Sequence, residues 1–519
     1  MSAGVAFVLL SLALAWVSTR FNGIAGWRSF VIGLVIGAGI LVAGWFAIRS
    51  DQQLVMPRWL GWLILGAALI RLAVGVFWFV ALPAWGYGSP VEQGGYVMAD
   101  AANRDTAAWD LAESELPLVR AFEKYRLVDQ YGGLLFFSAL FYRYFGGGMH
   151  QPLQIVVITA SFSALAVLFT WAFVQRAWGE RPAKIAAWIV ALFPEAVLLG
   201  STQMREAFTM TLVAACAYGL VRFHQERSWG GLAWVMVGLA MSLLFSPPFA
   251  GLVLGMLIVL ALSMDGWHVL RQPRLWLMLG ILAVVIGLGI WLSWERIAPA
   301  GVKNPLMLAG WWLKQATKWQ AYLSQRASGW VQKIFKTVPD WTQIFLLLGL
   351  GVLQPFLPAA LLDQGIPIWR VVAIWRAIGW SLLLPFLIVA PILALNRTGW
   401  RKGLVGGLSL VVWWGILLAS LRSGGDFWDN PRYRAAFISL QVALVVWVLW
   451  EERQRAGHWL RWAAVSLGLI LVWFIPWYLD RNTLIVWPVE DVFKTLGLGI
   501  ASAVLFIIWD CARAKNNPR

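Results

Sequence analysis

Apolar runs of about 20 residues recur from one end of this chain to the other. A run of that length crosses the hydrocarbon core of a bilayer as one helix, and in lipid the helix is one of the few structures that satisfies its own backbone. The runs fall at 3–19, 28–48, 58–82, 151–175, 184–200, 206–223, 230–245, 248–264, 275–294, 371–395, 403–421, 434–450, 459–479 and 490–510, about fourteen in all. A further apolar stretch, 342–362, is interrupted by Pro355 and Pro358. It reads as a broken or re-entrant helix, because proline removes a helix donor. Only 13% of residues are charged, where a soluble domain carries roughly 25%. The expected class is an all-α polytopic membrane protein. The first run lacks a basic leader and a cleavage site, so it reads as a retained helix.

The net charge of +16 is spread between the runs, so it points to loops at a membrane rather than to nucleic acid. With the N-terminus inside, the inner connections carry Arg49, Arg58, Arg176, Arg181, Lys184, Arg222, Arg227, Arg271, Arg274, Arg397, Arg401, Lys402, Arg453, Arg455 and Arg461, and the tail adds Arg513, Lys515 and Arg519. This bias sets an orientation with both termini cytoplasmic. It requires 342–362 not to cross. Many of the 37 tryptophans sit near run ends, where amphipathic rings favour the headgroup region. The two cysteines imply no disulfide framework.

The chain then divides into N-terminal membrane helices (1–82), an outer acidic loop with interfacial helices (83–150), and central membrane helices (151–294). An outer amphipathic segment with the broken helix (295–370) and C-terminal membrane helices (371–519) follow. In the second outer segment, Leu308, Trp312, Trp319, Leu323, Trp330 and Ile334 recur at helical spacing. Lys314, Lys318, Arg326, Lys333 and Lys336 fall between them, as in a helix lying against lipid phosphates.

The acidic loop is the most informative region. Asp105, Trp109 and Ala112 lie at i, i+4 and i+7, one face of a helix. Such a carboxylate is a candidate general base for an acceptor hydroxyl; the plainer reading is a solvated loop with a capping acid. The paired charges Arg205–Glu206 and the late Arg432, Tyr433 and Arg434 also fall at the outer boundary. Arginine suits phosphate oxygens; helix-end snorkelling is the plainer reading. The four histidines are far apart, and no Cys/His spacing suggests zinc, although a divalent cation on the loop carboxylates stays open.

In order along the chain stand Asp105, Trp109 and Ala112; Tyr142, Arg143, Phe145 and Gly146; Arg176 and Gly179; Phe193 and Pro194; Glu206; and Arg432 with Tyr433. This order resembles the membrane glycosyltransferases of the C superfamily, such as protein O-mannosyltransferases and lipid A aminoarabinose transferases. The resemblance implies a polyprenyl-phosphate-linked sugar donor; the sequence itself requires no cofactor, and the charge bias of the loops places the active site on the outer face of a cell membrane. The resemblance also implies catalytic roles for Asp105 and Glu206, with Asp100 as a second candidate base. Arg205, Arg432, Tyr433 and Arg434 would hold the donor phosphate. The acceptor is not named by it. A polysaccharide polymerase or ligase, and a transporter or flippase without transfer chemistry, are the alternatives.

Overall fold

The computed structural model describes residues 3–516 except 124–127, 130, 293, 295–297, 327–329, 396–398, 456–457 and 483. The described residues form helices and no strand. In chain order these are α1 (Ala3–Ser18), α2 (Trp27–Arg49), α3 (Arg58–Trp85), α4 (Pro90–Gln93), α5 (Ala99–Glu113), α6 (Gly133–Phe145), α7 (Pro152–Trp178), α8 (Glu180–Leu192), α9 (Pro194–Gly200), α10 (Arg205–Glu226), α11 (Trp229–Phe245), α12 (Pro247–Asp265) and α13 (Pro273–Leu292). The second half holds α14 (Pro305–Arg326), α15 (Trp330–Thr337), α16 (Gln343–Leu353), α17 (Leu357–Leu361), α18 (Pro367–Leu395), α19 (Gly399–Ser423), α20 (Asp429–Ala435), α21 (Ile438–Arg455), α22 (Trp459–Arg481) and α23 (Val492–Asn516).

Proline punctuates this order. It stands at the first position of α7, α9 and α12, where its missing N–H costs nothing and its fixed φ starts the helix. Among the described residues ten helices are long and apolar enough to cross a membrane, or up to twelve if each bent pair forms one span. The chain is thus an integral membrane protein, with a smaller span count than the fourteen expected. The shortfall lies in α1 and α11, of 16 and 17 residues. At about 1.5 Å per residue each falls short of a core of about 30 Å. The 342–362 stretch divides into α16 and α17, of 11 and five residues, neither of which reaches across alone. In the amphipathic segment Leu308 and Ile334 are buried and Lys314 and Lys318 exposed. The side chains of Trp312, Trp319, Arg326 and Trp330 lie outside the described ones.

Two helices form the column on which the rest is built. α7 and α10 are buried along nearly their whole length and pack on each other, with α2, α3, α8 and α11 around them. The peripheral helices keep large apolar side chains outward, such as Val35, Val42 and Phe46 of α2, a face suited to lipid chains.

The break between α8 and α9 bends the chain by 52° at Phe193–Pro194. Pro194 cannot donate to the carbonyl of Val190, four residues earlier. The buried Arg71 of α3 supplies the donor: its Nη2 lies 3.2 Å from Val190 O, and its Nη1 3.4 Å from Ala191 O and 2.9 Å from Ala67 O. A charged side chain thereby completes a broken helix.

α10 connects two polar ends. Its N-terminus begins with Arg205 and Glu206. At its C-terminus, Tyr218 donates to Asp51 at 2.6 Å and Arg222 pairs with Glu226 at 3.1 Å. Arg176 of α7 joins them, pairing with Glu226 and with Asp51, its Nε 2.7 Å from Asp51 Oδ2. Burial pushes the Asp51 carboxyl up, but the bonds from Arg176 and Tyr218 outweigh it and hold it below its usual value of 3.8.

Two outcomes follow from this packing. Gly403 of α19 packs so closely on α12 that an added Cβ would sit 1.8 Å from Ser263 O, whereas at Gly406 nothing lies within 4 Å. Gly403→Ala is therefore expected to cost about 1–3 kcal/mol, and Gly406→Ala to be neutral or to stabilise by up to about 1 kcal/mol. Thermal unfolding of both variants in detergent checks this; equal midpoints would refute the packing. For Asp51, a lowered folded pKa contributes stability that is present above 3.8 and lost as pH falls through the folded value. The gap in thermal midpoint between the wild type and Asp51→Asn should narrow as pH is lowered from 5 towards 3, and a gap that does not change would contradict it.

Candidate active site

α5 carries five of the charged groups of the loop, Asp100, Arg104, Asp105, Asp110 and Glu113. Asp100 lies in its first turn, where a carboxylate is favoured by the helix dipole. Ala108, Leu111 and Ala112 on its buried face pack with Leu135 and Ala139 of α6. At its far end, Arg143 of α6 donates to the carbonyls of Leu111, Ala112 and Ser114, satisfying acceptors that the helix leaves open. α5 is thus fixed at both ends.

Asp100, Glu206 and Arg432 are brought together. Arg432 Nε lies 2.8 Å from Glu206 Oε1, and Nη2 lies 2.8 Å from Asp100 Oδ2. Its third nitrogen, Nη1, lies 3.2 Å from Asp429 Oδ1. The Arg432 and Glu206 side chains are 6% and 10% exposed, while those of Asp100 and Asp429 are about half exposed. The ion-pair group therefore runs from the interior to an open edge. Within it, Glu206 Oε2 is buried and finds no hydrogen-bond partner among the described residues.

Two cavities flank this group. One, of about 370 Å³, is lined at its polar end by Tyr131, Arg205, Glu206, Arg422 and Tyr433. Its remaining walls include Phe245, Phe249, Leu252, Leu418 and Phe437. Arg205 lies over the ring of Tyr131 at 5.6 Å and Arg422 over Tyr433 at 5.0 Å. The other, of about 450 Å³, is lined by Asp100, Asp363, Asp429 and Arg432 together with Tyr87, Trp369, Phe427 and Trp428. Glu206 thus faces the first cavity while its partner Arg432 faces the second.

Asp105 is separate from this group. Instead of an open loop position it is fully buried. Tyr142 donates to its Oδ1 at 2.6 Å, and Tyr96 and His150 approach its Oδ2 at 2.5 and 2.7 Å. Trp109 stacks on the His150 ring at 5.3 Å. Burial, together with the neighbouring Asp105 carboxyl, pushes the Tyr96 and Tyr142 hydroxyls well up, so both stay protonated donors. This carboxyl ties α5 to α6 and to the segment before α7.

The three late residues also separate. Successive residues on a helix point about 100° apart, so Arg432 and Arg434 face nearly opposite ways. Tyr433 lines the first cavity and Arg432 the second. Arg434 is buried and lies over the Trp380 ring. Its part of the interior also holds the ion pair of Arg376 and Glu195, 2.6 Å apart. Among the lining residues not singled out from the sequence are Arg422, Tyr131 and Asp429. Asp429 had a readable signal, three residues before Arg432 on one helix face. Arg422, in the last turn of α19, had none beyond its place at a span end.

Residues 133–294 match the family model described as dolichyl-phosphate-mannose-protein mannosyltransferase. The matched stretch runs from α6 through α13 and holds Arg205 and Glu206. Over this stretch the chain is similar to a membrane mannosyltransferase domain. The resemblance read from the sequence holds over this stretch. Among solved structures the chain is similar to an archaeal oligosaccharyltransferase, AglB from Archaeoglobus fulgidus, in complex with an inhibitory peptide and a dolichol-phosphate. The identity is 13%, with 85% of this chain and 56% of that one covered and a TM-score of 0.39. The chain thus spans just over half the length of that protein. A comparison with curated proteins finds no match.

The buried clamp on Asp105 gives a direct test. An asparagine there offers one acceptor oxygen and an amide that opposes the incoming donors. Asp105→Asn is expected to lose about 1–3 kcal/mol of stability, read as a lower thermal midpoint, while Asp100→Asn at the open edge changes it little. The opposite ranking would show that the clamp does not hold α5.

Proposed function

We propose that the chain moves a sugar from a polyprenyl-phosphate donor to an acceptor hydroxyl, with the reacting groups on the outer face of the membrane. One observation carries this reading. A cavity with a cationic, hydroxyl-bearing end and apolar walls shares the Glu206–Arg432 pair with a cavity lined by carboxylates and aromatic rings. The first has the chemistry of a lipid phosphate: Arg205, Arg422 and Tyr433 for the phosphate oxygens, Phe245, Phe249 and Phe437 for the prenyl chain. The second has the chemistry of a hydroxyl acceptor.

Asp100 is the base in this reading, in place of Asp105, because it lines the second cavity and is half exposed. The acceptor oxygen attacks the anomeric carbon as its proton passes to Asp100. The bond from that carbon to the phosphate oxygen breaks, and the electron pair leaves with the polyprenyl phosphate. Arg205 and Arg422 meet the charge that develops there. The buried Oε2 of Glu206 is suited to accept a hydroxyl of the sugar. Arg434, beside Trp380, takes no part in phosphate binding. The charge bias of the loops supports cytoplasmic termini.

The test uses the full chain in detergent with a panel of labelled polyprenyl-phosphate sugars, following release of the lipid phosphate. Asp100→Asn should slow turnover by about 10²–10⁴-fold, with the thermal midpoint kept. Arg422→Ala should raise the donor KM by about 10–100-fold. Full turnover in Asp100→Asn would remove it as the base, and an unchanged donor KM in Arg422→Ala would remove the phosphate site.

A further inference from the structure

The carboxylates at this centre pose a question of charge. Asp100, Glu206 and Asp429 converge from α5, α10 and α20, a donor set whose chemistry would suit a divalent cation. We infer that the guanidinium of Arg432 is itself the resident cation of this centre, filling the place between the three carboxylates that a metal ion would otherwise take. The inference rests on the reading of Asp100 as the base and says what orients it.

The geometry is that of a ligand set closed around one group. Each of the three guanidinium nitrogens meets a different carboxylate, at 2.8, 2.8 and 3.2 Å. Oxygens held around a planar fork stand apart from one another. A bound Mg²⁺ or Ca²⁺ needs them drawn in to about 2.0–2.6 Å of a single point. The Arg432 side chain is only 6% exposed, so an incoming ion would have to expel it from a buried position. Doing so would strand a guanidinium that stays protonated at any working pH.

Arg432 also comes prearranged. Asp429 stands three residues before it on the same short helix, so cation and first partner arrive together when α20 forms. The interior side of the set, Glu206, feels Arg205 as well. A divalent ion would therefore add charge where cations already stand. Arg432 is a positioning residue: it holds Asp100 through Oδ2 and supplies a fixed positive charge beside the reacting groups. The same side chain that welds the loop to the membrane helices thus makes the reaction independent of metal.

Direct Mn²⁺ titration of the full-length protein, by calorimetry and electron paramagnetic resonance, is the primary test, with lipid-phosphate release as the second readout. The wild type is expected to show no stoichiometric Mn²⁺ site, and chelator should change its turnover by less than about twofold. Arg432→Ala empties the centre and should bind one Mn²⁺ per chain, with turnover at least about tenfold higher in Mn²⁺ than in chelator. Arg432→Lys keeps a cation in place and should bind none. A wild-type Mn²⁺ site that disappears in Asp100→Asn, or a loss of more than about tenfold in chelator, would overturn the inference. So would an Arg432→Ala protein that folds but binds no Mn²⁺. If Arg432→Ala does not fold, the wild type and Arg432→Lys decide by the same titration. If no donor in the panel is turned over, the transfer reading fails, and the titrations still decide whether Arg432 is the cation.

Discussion

The side chain of Arg432 connects three parts of the chain that are distant in sequence. Asp100 and Glu206 are separated by more than a hundred residues, and Arg432 follows Glu206 by 226. A guanidinium with three nitrogens on three carboxylates fixes the relative positions of a loop helix, the buried column and a short helix near the C-terminal spans. Burying such a set is costly unless every charge is met. The cost is tolerable here because only Arg432 and Glu206 are deeply buried, while Asp100 and Asp429 keep about half their side chains in contact with solvent. The group is rigid where it meets the column and accessible where chemistry can be done.

The rest of the fold serves that placement. α10 starts at Glu206 and ends in the Asp51–Arg176–Glu226 network, so its ends are pinned about 30 Å apart by charge rather than by packing alone. The chain bends by 52° at Pro194 and by 77° after α20, and each bend frees backbone groups that need partners. Arg71 supplies them at the first bend. The motifs that suggested an enzyme therefore separate into two kinds. Arg176 and Phe193–Pro194 shape the bundle, while Glu206 and Arg432 face the cavities.

The helical, membrane-spanning character was legible because it follows from apolar run length, a property each segment carries alone. Span count was less legible, since α1 and α11 are apolar but a few residues short. The charged cluster between the two cavities was legible in part. Asp100, Glu206 and Arg432 stood out as charges at the edges of apolar runs. Their mutual contact is a tertiary fact that no spacing encodes. The burial of Asp105 was not legible for a physical reason: its i, i+4, i+7 neighbours, Trp109 and Ala112, mark a packed face as well as they mark a site. A carboxylate between tyrosines reads the same in sequence whether it is poised for solvent or saturated by hydroxyls. Tyr96, nine residues before it, closes the clamp from a turn that periodicity does not register.

That saturation sets Asp105 apart from Asp100, five residues before it on the same helix. Asp100 lines the second cavity and is half exposed, and a half-exposed side chain on a loop helix gains little from packing. Its position must then be secured elsewhere on the same helix. Asp105 does this with three partners, Arg143 with three carbonyls, and Arg104 with Asp129 at 3.4 Å and with Gln203 O at 3.2 Å. Asp100 is left with the single constraint of Arg432, which points it without enclosing it. An acid held by two hydroxyls and an imidazole at the centre of the helix and an acid held by one guanidinium at its end are two halves of one arrangement: the first commits its lone pairs to the fold, while the second keeps an oxygen edge open to the cavity.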